Sequence, residues 1–142
     1  MNVCVDSSLL VSLYVIDANS PRAVQYMNQR PDVWLTPLNR TELAHAIHQR
    51  VFRKELNEFE ARRIWTAFED DCVAGVWIFV NFPDAAWRGS IDLARRHGPT
   101  LGVRTLDTLN VACAQELGAD RFWTFDQRQA QLAAAAGLDT TA

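Results

Sequence analysis

Asn2-Val3-Cys4-Val5-Asp6-Ser7-Ser8 is an apolar run that stops at an acid, and the acid is followed by two hydroxyl residues. Val3 to Val5 has no polar face, so it reads as a short strand buried on both sides. Asp6-Ser7-Ser8 then offers N-cap chemistry for a helix through about Ile16. A buried strand running straight into a capped helix opens an α/β domain. The same grammar returns near the end of the chain, where Phe122-Trp123-Thr124-Phe125-Asp126 is again an apolar run closed by an acid.

Between these two points the punctuation is regular. Ser20-Pro21 places Pro at the start of a second helix, running to about Arg30. Val33-Trp34-Leu35-Thr36 reads as a second strand. Asn39-Arg40-Thr41-Glu42 has the form of a capping box and opens a helix carrying Leu43, Ala46, Ile47 and Val51. Asn57-Glu58-Phe59-Glu60 is a second box, and its helix sets Ala61, Ile64, Trp65, Phe68 and Cys72 on one face. Gly75 ends that helix, and Val76 to Val80 reads as a third strand. Pro83 starts a helix to about His97, closed by Gly98-Pro99. Thr105 caps the next helix, which stops at Gly118. Arg121 to Thr124 is a fourth strand, and Asp126-Gln127-Arg128-Gln129 opens an alanine-rich last helix ending at Gly137. Strands alternating with helices predict a mainly parallel sheet of four or five short strands flanked by helices. At 142 residues the chain is expected to be one domain, residues 1–142.

Composition narrows the function. The formal net charge of -3 argues against a general attraction to nucleic acid, so any such binding must come from local basic patches. Lys54 is the one lysine among the 14 basic residues; this abundance of arginine reads first as coding bias. Cys4, Cys72 and Cys113 form no CxxC pair and lie in apolar stretches, which fits buried thiols in a reducing cytoplasm. No run approaches the ~20 apolar residues of a membrane helix, and the N-terminus lacks a signal-peptide pattern. A soluble cytoplasmic protein without a membrane partner is expected.

Four acids carry the chemistry: Asp6, Glu42, Asp107 and Asp126. Glu42 and Asp107 lie in apolar-rich helical segments, Leu38 to Ile47 and Leu106 to Leu117. Each acid has a structural explanation. Asp6 reads as an N-cap, Asp126 as an N-cap with Gln129 closing its box, Glu42 as the reciprocal partner in its box, and Asp107 as a first-turn anion favoured by the helix dipole. Taken singly, capping is the better account of Glu42, Asp107 and Asp126. Taken together, the acids sit where open parallel sheets form sites, at the carboxyl ends of strands. Carboxylates gathered there repel one another and require a cation, and hard cations such as Mg2+ or Mn2+ take oxygen ligands.

Other signals are weaker. Glu42, His45 and His48 follow E-x-x-H-x-x-H, a spacing used by di-iron centres, but the second helix pair such a centre needs is missing. Arg50, Arg53, Lys54, Arg62 and Arg63 read as a solvated basic face that could serve as an RNA groove. The five tryptophans are mostly core by setting, with one or two free to stack on unpaired bases.

The ordered set Val5-Asp6-Ser7-Ser8, Arg40-Thr41-Glu42-Leu43, Arg104-Thr105-Leu106-Asp107 with Ala112 and Ala114, then Thr124-Phe125-Asp126, resembles the PIN-domain family. It is most similar to VapC-type toxins of toxin–antitoxin pairs. The resemblance spans nearly the whole chain. It implies a PIN-like three-layer fold and endoribonuclease activity. It further implies an acidic cluster, Asp6, Glu42, Asp107 and Asp126, holding Mg2+ or Mn2+. Ser8 and Thr124 match polar positions that support the site, and Asn110 falls where many members carry His. The expected partners are an RNA substrate, a cognate antitoxin and a second copy in a homodimer. Three rivals remain. A receiver-like phosphoacceptor module needs paired early acids and a late Lys. A haloacid-dehalogenase-like phosphatase needs Asp-x-Asp where this chain has Asp6-Ser7-Ser8. A non-catalytic PIN-fold interaction protein would keep the fold alone.

Overall fold

The apolar run at the N-terminus is the central strand of a parallel sheet. The computed structural model describes residues 1–140. Strand β1 (Asn2–Val5) pairs in parallel with β2 (Asp32–Leu35) on one side and β4 (Arg121–Trp123) on the other. Two-residue strands close the edges, β3 (Ile78–Phe79) beside β2 and β5 (Asp139–Thr140) beside β4, so the order is β3-β2-β1-β4-β5.

Alternation along β1 divides the core into two halves, because successive strand side chains point to opposite faces. Val3 and Val5 join Leu9, Leu10, Leu43, Ile47 and Phe68 on one face. Cys4 joins Ala86, Val111, Phe122 and Leu132 on the other. Seven helices among the described residues cover these faces: α1 (Ser7–Tyr14), α2 (Ser20–Met27), α3 (Pro37–Phe52), α4 (Glu58–Val73), α5 (Ala85–Leu101), α6 (Thr105–Glu116) and α7 (Gln127–Ala135). The result is the expected three-layer α/β architecture.

Several element boundaries differ from the sequence reading. Helix α3 begins at Pro37, and its box is Thr36 with Asn39, not Asn39 with Glu42. Pro at the first helical position fixes that earlier start. Glu42 is thereby moved into the second turn and has no capping duty. Helix α5 starts at Ala85 and continues through Gly98-Pro99 to Leu101. Pro99 removes only one backbone N–H near the C-terminus, and Gly102 ends the helix in the left-handed region at φ 61°. The third strand shrinks to Ile78–Phe79, because Trp77 turns into the core and its Nε1 donates to Tyr14 Oη at 2.8 Å. Arg104, not Thr105, is the N-cap residue of α6.

The topology leaves a crevice. From β1 the chain passes to β2 on one side, and the later strands β4 and β5 lie on the other, so the strand order reverses between β1 and β4. Connections after these two strands diverge to opposite faces, opening a gap at their carboxyl ends. Val5 is level with Trp123, which places Asp6 beside Thr124.

Candidate active site

Asp6 follows β1 and is the N-cap of α1, its Oδ1 accepting the N–H groups of Ser8 (3.1 Å) and Leu9 (3.4 Å). The Ser8 hydroxyl donates to the same oxygen at 2.5 Å, and the Thr124 hydroxyl donates to Oδ2 at 2.6 Å. The residue is only 4% exposed. Burial pushes its pKa up to about 6, against the pull of the Ser8, Thr124 and Leu9 hydrogen bonds, and the nearby Asp126 charge adds to the rise. Ser8 and Thr124 also set the chain around them: Ser8 Oγ accepts the Phe125 N–H and Thr124 Oγ1 accepts the Asp126 N–H, both at 2.9 Å.

Glu42 reaches the crevice from the second turn of α3. Burial raises its pKa to about 7; a hydrogen bond from Asn110 opposes the rise, and the charges of Asp6 and Asp107 reinforce it. Asn110 Nδ2, on buried α6, donates to Glu42 Oε1 at 3.0 Å. These mutual charge effects are the electrostatic signature of carboxylates facing one another.

Asp107 lies in the first turn of α6 and is buried, its Oδ2 accepting the Arg104 N–H at 2.9 Å. Asp126 caps α7, its Oδ1 accepting the Gln129 N–H at 3.0 Å. Both acids therefore do cap helices, as their single-residue readings held, while also facing the crevice. Asp6, Glu42, Asp107 and Asp126 line one pocket of about 410 Å³ with Ser7 and Ser8.

Two further residues complete this pocket, and the sequence reading named neither as a site residue. Gln129 was expected to close the Asp126 box. The amide orientation that satisfies its hydrogen bonding instead aims the nitrogen at Asp6 Oδ2 (3.1 Å) and Asp107 Oδ1 (3.3 Å). Arg104 reaches across the pocket mouth, its Nε 3.6 Å from Asp107 Oδ2 and its terminal nitrogen 3.5 Å from Asp126 Oδ2. The Arg104/Asp107 spacing of three on a helix start was the available signal.

The donor set is chemically suited to a hard divalent cation: four carboxylates and flanking hydroxyls, with no thiol or imidazole lining the pocket. Two of the acids are held above the ordinary carboxylate range by burial and mutual charge, a cost that a cation relieves. As the side chains stand, no group of three or more His, Cys, Asp and Glu among the described residues is set to hold a metal ion. Each acid is turned to its own donor: Asp6 to hydroxyls, Glu42 to Asn110, Asp107 and Asp126 to Arg104.

The other candidates stay outside. His48 Nδ1 lies 2.8 Å from the Ala44 carbonyl and His45 Nε2 lies 3.2 Å from Gln49, both exposed. Arg50 and Arg53 pair with Glu55, and Arg63 lies over the Phe59 ring. Trp77 and Trp123 are core, whereas Trp87 is exposed.

Among curated proteins nothing matches this chain. Solved structures do. VapC20 of Mycobacterium tuberculosis, described as a sarcin-ricin-loop-cleaving toxin, is 17% identical with a TM-score of 0.71, covering 96% of this chain and 95% of that one. FitAcB from Neisseria gonorrhoeae is 16% identical with a TM-score of 0.74, over 99% and 96%. VapBC2 from Rickettsia felis, solved on a promoter DNA fragment, is 11% identical with a TM-score of 0.68, over 99% and 98%. At these identities the likeness is one of fold. The PIN domain profile matches residues 3–135, nearly the whole chain. By that match and by its sheet, the chain belongs to the PIN-domain family.

Proposed function

We propose that residues 1–142 act as one metal-dependent endoribonuclease domain, the toxin of a toxin–antitoxin pair. The observation that supports this most is the convergence of Asp6, Glu42, Asp107 and Asp126, from four separate elements, on one pocket at the carboxyl ends of β1 and β4. A PIN domain is generally a nuclease fold, and the toxin neighbours point the same way.

Asp6, Glu42 and Asp107 would hold Mg2+ or Mn2+ directly or through water, with Asp126 holding a water or a second ion. When bound, such an ion supplies charge neutralisation at a phosphoryl oxygen and a lowered pKa for coordinated water. The rest falls to the chain itself. Ser8 and Thr124 fix both oxygens of Asp6, so its carboxylate cannot rotate away. Asn110 orients Glu42, and Gln129 spans Asp6 and Asp107. Donors of this kind set ligand orientation, and their loss typically costs about 10–100-fold in metal affinity.

RNA is the proposed substrate. A cognate antitoxin is the proposed regulator, since VapBC2 is a complex solved on its promoter DNA. A homodimer and a cytoplasmic location complete the reading. No helix among the described residues is long and apolar enough to cross a membrane.

Cleavage of single-stranded RNA in Mn2+, abolished by EDTA and by Asp6→Asn with an unchanged circular dichroism spectrum, is the expected result. Cleavage that survives both changes refutes the assignment. A PIN fold that binds partners without cutting RNA would be the interaction-module alternative.

A further inference from the structure

Arg104 stands on the wall shared by two adjoining depressions. One is the acid pocket. The other is a groove of about 530 Å³ lined by Leu101, Arg104, Asp126, Gln127, Arg128 and Gln131. The Arg104 side chain is 71% exposed, and its contacts to Asp107 and Asp126, at 3.6 and 3.5 Å, lie at the weak limit of hydrogen bonding. It screens two carboxylates without being locked to either. Arg128, in the same groove, has one neutral partner, the Gly102 carbonyl at 3.3 Å, and forms no ion pair among the described residues. The groove thus carries two guanidinium groups against one carboxylate, Asp126. Guanidinium groups bind phosphate in a planar, two-pronged way, and the groove opens directly from the acids.

Resting on the nuclease reading, we propose that Arg104 is an exchangeable counter-ion. It holds Asp107 and Asp126 until a divalent cation takes them, and then joins Arg128 in binding RNA phosphate along the adjoining groove. Arg104 is a substrate-binding residue in this scheme. Its backbone N–H, which caps onto Asp107, is unaffected by side-chain substitution.

Two titrations test this: Mn2+ alone by calorimetry, and a 2′-O-methyl single-stranded oligonucleotide by fluorescence anisotropy, with and without Mn2+, the strand checked to be intact afterwards. In the wild type, Mn2+ should tighten oligonucleotide binding. Arg104→Gln should bind Mn2+ about 5-fold more tightly, because a competing cation has been removed. It should bind the oligonucleotide about 10-fold more weakly in Mn2+, with a salt slope shallower by about one. Arg128→Gln should weaken only the oligonucleotide. Arg104→Gln with unchanged or weaker Mn2+ binding, or with unchanged oligonucleotide affinity, overturns the proposal. If the wild type binds Mn2+ and Glu42→Gln weakens it, such a failure falls on Arg104 alone. If the wild type binds no Mn2+, the nuclease reading fails and this proposal with it.

Discussion

Asp6 concentrates the chemistry of this protein because the fold buries a carboxylate and then surrounds it with donors. The donors lower its pKa and burial raises it; burial wins, leaving it at about 6. Glu42, held up to about 7, behaves in the same way. The sign of the resulting pH dependence follows. Both groups hold protons more tightly in the folded protein than in the unfolded chain, whose carboxylates titrate near 4. Their stabilising contribution in the metal-free protein is therefore complete below about pH 4 and lost as pH rises through about 6 to 7. For Asp6 the loss is on the order of 3 kcal/mol. Urea unfolding in EDTA at pH 4 and pH 8 should show most of it as a difference between wild type and Asp6→Asn; a difference that does not change with pH contradicts the assignment. Thr124→Val, which deletes the donor to Asp6 Oδ2, should cost about 10–100-fold in Mn2+ affinity. Calorimetry that finds the two proteins equal would place Thr124 outside the site. Asp6 and Asp126 were legible as site candidates because an apolar run ended at each. Gln129 was not, because a residue three positions after an N-cap reads as a box partner, and only the packed structure turns its amide to the acids.

At the scale of elements, Asn39 couples the helix that carries Glu42 to the strand that carries Asp6. Its Oδ1 accepts the Thr36 N–H at 2.8 Å, closing the cap of α3, and its Nδ2 donates to the Val5 carbonyl at 2.9 Å, one residue before Asp6. The side chain is buried, so removing it leaves backbone groups without partners. Asn39→Ala should destabilise the fold by about 1–3 kcal/mol. It should also weaken Mn2+ binding, since both acids depend on that junction. Unchanged urea midpoint and unchanged metal affinity would show that the junction is dispensable. The sequence named Asn39 as a cap but set the helix three residues late, because Asn39-Arg40-Thr41-Glu42 satisfies the same pattern as Thr36-Pro37-Leu38-Asn39. Local chemistry gave two starts, and Pro37 with the Val5 contact selects one. Similar competition explains α5. Gly98-Pro99 is a strong local stop, but Leu101, beyond it, packs against the core half that holds Leu93 and Val111. Tertiary packing carries it one turn further.

For the whole molecule, strand order is what gathers the site. Placing β1 between β2 and β4 brings acids 120 positions apart in the chain to one crevice. Hydrophobic patterning revealed the alternation of strands and helices and hence the layered class. It held no information on which strands are neighbours, since the four strands it marked are all short and mostly apolar. The order emerges only in the packed structure. Saturating Mn2+ should raise the melting temperature of the wild type, as ligand at ~100 times Kd stabilises by ~2.7 kcal/mol. Glu42→Gln should show a smaller rise; an equal rise in both would place the ion elsewhere. The most direct measurement is anomalous X-ray diffraction from a crystal equilibrated with Mn2+. A peak between Asp6, Glu42 and Asp107, with Arg104 withdrawn from Asp107 and Asp126, is the expected result. No peak in that pocket, at an Mn2+ concentration that supports RNA cleavage, would contradict the shared-cation site.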